Sequence, residues 1–179
     1  MKRIFLIVAA VFFLNSANTF GQLRENDNLL GASLGLWVSP GTPSLGMNFE
    51  HQVTQLGNVA SLGIGGVLRY TSWSDRYPYD DYYDYNYTTV GFQTNFNFNN
   101  IGEGRFVPFA GAVLGYNYIN NSYVNRSGRI YTATYSSGWW MWLQGGFRWF
   151  FSPSVAGGVR IGTGNFNFSV LELSMDFRL

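Results

Sequence analysis

The sequence predicts an all-β fold: an eight-stranded antiparallel up-and-down transmembrane β-barrel. Three observations carry that expectation. Apolar and polar residues alternate repeatedly from Leu30 to Leu179, and side chains on a strand point to opposite faces in turn. Aromatic residues make up 19% of the chain and charged residues only 12%, against about 25% charged in soluble domains, so something other than water covers much of the surface. Beyond the N-terminus no apolar run reaches the length of a membrane helix, which leaves a closed barrel as the way to cross a bilayer.

The first element is an export signal over residues 1–21. Lys2 and Arg3 precede an unbroken apolar run from Ile4 to Leu14, followed by the small residues Ser16, Ala17 and Gly21, which is the layout of a secretory signal peptide. Cleavage before Gln22 would leave 22–179 as one barrel domain. Lys2 is the only lysine, so the part from Gln22 onward carries nine arginines against ten acids, a net charge of −1. With no basic patch, the chain is not expected to bind nucleic acid. With no cysteine, disulfides, thiolate metal sites and cysteine nucleophiles are excluded.

Cutting at turn residues gives eight strands, approximately 30–38, 44–54, 59–73, 87–98, 105–119, 130–150, 154–164 and 168–179. In the second, Leu45, Met47, Phe49 and Val53 alternate with Gly46, Asn48, Glu50 and Gln52. The fourth sets Val90, Phe92, Phe96 and Phe98 against Gly91, Gln93, Asn95 and Asn97. The last, Phe168 to Leu179, sets Leu171, Leu173, Met175, Phe177 and Leu179 against Glu172, Ser174, Asp176 and Arg178. The second row, rich in Gly, Asn and Ser, suits the interior of a narrow barrel, where small residues must sit beside large ones; the first suits lipid.

Connection lengths orient the barrel. Short inner turns centre on Gly57, Gly102 and Pro153, while outer connections span 39–43, 74–86, 120–129 and a tight turn at Asn165. Long loops outside and short turns inside are the pattern of outer-membrane barrels. Two aromatic girdles are expected: Trp37, Tyr70, Trp73, Tyr87, Tyr116, Tyr118 and Trp139 to Trp142 toward the outside, and Phe98, Phe106, Trp149, Phe150 and Phe151 toward the inside.

With its repeated alternation, the glycine-rich stretch Phe109-Ala110-Gly111-Ala112-Val113-Leu114-Gly115-Tyr116, the turn Phe151-Ser152-Pro153-Ser154 and the amphipathic terminal strand, the chain resembles the small eight-stranded outer-membrane barrels of the OmpA/OmpX type. The resemblance covers Leu30 to Leu179. It implies a place in the bacterial outer membrane among lipid and lipopolysaccharide, and assembly through machinery that reads the C-terminal strand. Such barrels commonly end in an aromatic residue; here the last residue is Leu179 and the nearest aromatic is Phe177.

Catalytic groups are scarce, and no cofactor is implied. The only histidine, His51, falls on the apolar row, where a general base would face lipid, and His51-Gln52-Val53 lacks the His-x-Ser arrangement that a lipid-acting barrel would need. Gly35-Leu36-Trp37 matches the Gly-x-Trp element of lipocalins, soluble eight-stranded carriers, but the apolar outward rows argue against that rival. The expected role is non-enzymatic, structural or in surface interaction.

Two groups remain as candidate sites. One is an interior charge network of Glu50, Arg69, Arg148, Arg160, Glu172, Asp176 and Arg178, all on the inward row; such charges persist in a narrow interior only if paired, so the barrel is expected to be plugged. Hairpin geometry puts Arg160 opposite Glu172 and Arg148 within reach of Asp176, with Arg178 expected to meet Glu50. The other is the outer segment Asp75, Arg76, Tyr77, Tyr79, Asp80, Asp81, Tyr82, Tyr83, Asp84 and Tyr85. Tyrosine gives large contact area at small entropic cost and clustered aspartates suit cations, so two readings stand: a recognition loop for an extracellular partner or cation-bridged lipopolysaccharide, or a disordered or self-packed surface loop that only solvates the barrel rim.

Overall fold

A computed structural model describes residues 21–38, 42–57, 59–77, 81–99, 101, 105–124, 130–133, 137–165 and 171–179. Its strands are β1 (Asn28–Val38), β2 (Thr42–Leu56), β3 (Ala60–Tyr77), β4 (Asp81–Phe98), β5 (Phe106–Val124), β6 (Ile130–Ala133), β7 (Gly138–Ser152), β8 (Val155–Gly164) and β9 (Leu171–Arg178). Every pairing is antiparallel. The sheet runs β4-β3-β2-β1-β9-β8-β7-β5-β6, and an additional β4–β5 ladder closes it on itself. Strands β6 and β7 lie one after the other along β5, so the wall has eight positions. The expected export segment lies outside the described residues apart from Gly21, as do Phe168 to Val170 of the expected terminal strand.

Sequence alternation fixes the two faces. Leu45, Met47, Phe49, Val90, Phe92, Phe96, Leu143, Leu173, Met175 and Phe177 are all exposed on the outer wall, whereas Asn48, Glu50, Gln52, Gln93, Asn95, Asn97, Gln144, Arg148, Arg160, Glu172 and Asp176 are buried inside. Water would not tolerate so continuous an apolar exterior, and lipid would not tolerate an unpaired sheet edge; a closed ladder with lipid outside meets both demands.

Three expectations about elements need correction. The stretch 130–150 is not one strand: Asn121 pairs with Ala133 and Asn117 with Gly138, so four steps along β5 face five along its partner. Ser137, just ahead of β7 and outside any strand, accepts from the Ile119 amide with its hydroxyl at 3.1 Å. The outer segment after Trp73 is not a loop. β3 and β4 continue as a hairpin with rungs as far as Tyr77↔Asp81, because Trp73 stacks on Tyr85 and Tyr87 at 4.9 and 5.0 Å and Ser74 bonds Asp84 across the strands, the cross-strand contacts that stabilise a sheet. Likewise β5 extends to Val124 through part of the expected third loop.

The girdles also lose members to the lumen. Tyr70, Tyr118 and Trp139 at one end, and Phe98, Trp149 and Phe151 at the other, are exposed on the outer wall. Trp140, Trp142 and Phe150 are instead buried inside, since strand parity puts them on the row of Gln144 and Arg148, and Trp73 and Tyr87 share the inward row of Arg69 and Thr89. The side chain of Trp37 lies outside the described residues.

The two ends differ. At the short-turn end Gly57 takes φ 62°, a conformation glycine adopts without the strain of a Cβ, and register shifts fall at Gln52/Thr54 and Phe150/Ser152, as bulges do at barrel rims. At the other end β2 has its last rung with β3 at Leu45↔Tyr70 and β7 its last with β5 at Asn117↔Gly138. Among the described residues, β3, β4, β5 and β6 are the strands that continue beyond those rungs. Seven residues of β3, Thr71 to Tyr77, correspond to roughly 23 Å of strand at about 3.3 Å per residue.

A candidate functional site in the barrel lumen

The middle of the lumen is charged and balanced, with Arg69, Arg148 and Arg160 against Glu50, Glu172 and Asp176, each no more than 6% exposed. Glu50 accepts from Arg148 Nη2 at 2.6 Å, from the amides of Asn95 and Asn97 at 2.7 Å each, and from Gln52 at 2.8 Å. Arg148 also donates to Asp176 at 3.2 Å and to Asn97 Oδ1 at 2.6 Å. Across the lumen Arg69 holds both oxygens of Glu172, through Nε at 2.7 Å and Nη2 at 2.9 Å. Arg160 approaches the same carboxylate at 3.6 Å and shares Asn48 Oδ1 with Arg69, at 3.1 and 2.8 Å. The guanidiniums of Arg148 and Arg160 both lie over the Phe109 ring, 4.6 and 5.6 Å from its centroid, so an electron-rich ring attracts both cations.

The sequence brings these groups together by spacing. Each lies on the inward row of its strand, and the β8–β9 register places Arg160 directly across from Glu172. Arg178 does not meet Glu50. It lies at the short-turn rim, 3.6 Å from Asp27 and over the Phe150 ring at 4.7 Å, while Glu50 is fully engaged by Arg148 and three amides. The amides are what sequence reasoning missed: Gln93, Asn95, Asn97 and Asn99 alternate through β4 and its end, a pattern read only as small polar filling. Asn95 and Asn97 complete the hydrogen bonding that makes burial of the Glu50 carboxylate affordable, while Gln93 donates to the Phe49 carbonyl and Asn99 holds the Leu23 backbone.

Glycines seat the carboxylates. A Cβ at Gly63 would overlap Glu50, coming 2.7 Å from its Cγ and Cδ, and a Cβ at Gly31 would collide with Asp176. Gly158 faces Ser174 and the same Asp176. Gly31, Gly63 and Gly158 therefore leave the space that Glu50 and Asp176 occupy.

The outer hairpin stands above this core. Asp84 and Tyr85 are half-buried at its base. Asp75, Arg76, Tyr77, Asp81, Tyr82 and Tyr83 lie on its strands, with Asp75 opposite Tyr83 and Arg76 opposite Tyr82, their side chains outside the described residues; Tyr79 and Asp80 are wholly outside them. His51 is on the outer wall, half-buried, its Nδ1 2.9 Å from Asn28 Oδ1, far from any inward acid by strand parity. Among the described residues no three His, Asp or Glu side chains converge as a cation site.

No protein-family model matches the sequence, and no curated protein matches it. Solved structures do. The N-terminal β-barrel domain of Pseudomonas aeruginosa OprF superposes with a TM-score of 0.55 at 14% identity, covering 88% of this chain and 100% of that one. The fold is that of the small outer-membrane barrels. Yersinia pestis Ail, in complex with the heparin analogue sucrose octasulfate, gives 0.52 at 11% identity over 86% of this chain and 95% of its own. Neisserial surface protein A gives 0.50 at 15% identity over 86% and 94%. At these identities the likeness is one of architecture.

Proposed function

We propose that this chain is a plugged barrel of the bacterial outer membrane that acts by contact at the cell surface, not by catalysis or transport. The observation that carries the reading is the network across the lumen, three arginines against three acids with each acid held by at least one of them. Such a cross-link fills the path an ion would take, and a buried paired charge is expensive to break. Residues 1–21 serve export in this reading, and the strand ending Phe177-Arg178-Leu179 serves assembly.

The surface role rests on the β3–β4 hairpin. It projects beyond the lipid-covered wall on the stack of Trp73 with Tyr85 and Tyr87, and residues 74–87 hold four acids, one arginine and six tyrosines. Ail is seen with a sulfated sugar analogue; an acidic hairpin suits the opposite chemistry, a partner that is basic or bridged through cations, such as lipopolysaccharide or an extracellular protein. Replacing Asp75 to Tyr83 with an Asn-Gly turn closes the hairpin on the Ser74↔Asp84 rung and keeps the lipid-spanning wall. The variant is expected to fold and reach the outer membrane but to lose retention of cells on partner-bearing surfaces. Unchanged retention would contradict the surface role.

A further inference from the structure

The lumen has one apolar layer at its short-turn end, formed by Leu29, Val107, Phe150 and Ala156, and its fifth member is Leu23, which precedes the first strand. Leu23 is fully buried. Its backbone is held by one side chain from across the mouth: the Leu23 amide donates to Asn99 Oδ1 at 3.1 Å, and Asn99 Nδ2 donates to the Leu23 carbonyl at 2.8 Å. Gln55 adds a bond to the same carbonyl at 3.4 Å. The primary amide of Asn99 thus does for Leu23 what a neighbouring strand would do.

The chain then reverses. Asn26 takes φ 70°, the Arg24 amide donates to Asp27 Oδ2 at 2.8 Å, and two bonds tie the turn to β2, from the Asn26 amide to the Gln52 carbonyl and from the Gln52 amide to the Asp27 carbonyl, each 2.9 Å. Asp27 also meets Arg178 at the rim. The two bonds to Gln52 carry the β1–β2 register one step past its first rung at Asn28↔His51, whereas Leu23 and its bonds to Asn99 and Gln55 lie ahead of that ladder and outside it.

We infer that Gln22 to Glu25 is a self-supplied stopper, separable from the wall, and that the short-turn mouth is a seat for an extended peptide carrying a leucine. The seat supplies both things such a peptide needs: apolar cover for one side chain and a paired donor and acceptor for its backbone. Asp176 is the cross-strand neighbour of Ala156 in this layer, so the stopper also keeps water off the short-turn side of the Arg148–Asp176 pair.

The test uses the absence of cysteine from the chain. Val107 is fully buried in the seat, so Val107→Cys gives a single thiol under the stopper. The full exported chain, purified folded in detergent micelles, is exposed to a small charged thiol reagent. Labelling is expected to be slow in the Val107→Cys chain and about ten- to a hundredfold faster when Leu23→Ser is added, the factor set by losing one buried leucine. Asn99→Asp keeps an acceptor for the Leu23 amide but loses the donor to its carbonyl; it is expected to give an intermediate rate. A synthetic peptide of residues 22–26 added to the Leu23→Ser chain should slow labelling again, while the same peptide with serine for leucine should not.

Equal rates with and without Leu23→Ser, or fast labelling in both, would overturn the stopper. So would failure of every seat variant to show the heat-modifiable gel mobility of a folded barrel, since the segment would then be part of the wall. The inference deepens the plugged-barrel reading without sharing its fate: current through the unaltered protein would remove that reading, whereas a sealed barrel whose Val107→Cys thiol is unprotected would remove only the stopper.

Discussion

Glu50 and Arg148, 98 residues apart in sequence, meet at 2.6 Å inside the barrel with 1% and 2% of their side chains exposed. Arg148 reaches Asp176 with the same guanidinium. Arg148→Met would leave two buried acids short of a cation, at a cost of about 3 to 5 kcal/mol. Adding Glu50→Gln and Asp176→Asn should recover a large part of that loss. Urea titrations of folding into lipid vesicles measure it; simple addition of the three effects would mean that the groups do not share one network.

Glu172 has two arginines but uses them unequally, holding Arg69 through both oxygens at 2.7 and 2.9 Å and Arg160 at 3.6 Å. Arg69→Met should therefore destabilise more than Arg160→Met, because bidentate charge-assisted bonds are the strong ones. The same folding titration ranks them. A larger loss for Arg160→Met would place the main partner of Glu172 on β8.

Gly63→Ala should cost about 1 to 3 kcal/mol, the range for forcing a methyl into a packed interior. Its Cβ meets Glu50, whose carboxylate is pinned by four donors and cannot swing aside. Gly66→Ala, three residues on, would meet only a carbonyl at 3.6 Å and should be close to neutral. Equal thermal shifts for the two variants would show that Glu50 does not rest on Gly63.

Leu173 is exposed on the outer wall and Glu172 buried beside it in sequence. Leu173→Arg should cost about 2 to 4 kcal/mol near the bilayer midplane, read by vesicle folding titrations. A negligible cost would mean that this row does not face lipid.

Much of this was legible in the chain. Alternation in β2, β4 and β9 fixed which face each residue takes, and near-constant residue sums across the β8–β9 hairpin put Arg160 against Glu172. What was not legible depended on the third dimension. Glu50 and Arg148 belong to strands well separated around the wall, so no hairpin rule relates them, and Arg178 was matched to Glu50 by depth alone. Trp140 and Trp142 looked like girdle residues because aromatic composition outweighed parity. Tyrosine and aspartate after Trp73 read as loop chemistry, whereas cross-strand stacking on Trp73 carries the ladder to Tyr77. Leu23 gave no signal, since its partner Asn99 lies 76 residues away.

The central claim is that the lumen is closed, and planar-bilayer conductance of the folded, unaltered protein tests it most directly. The network predicts no steady current of porin size at any applied voltage within the stable range of the membrane. A stable, large and reproducible channel would contradict it.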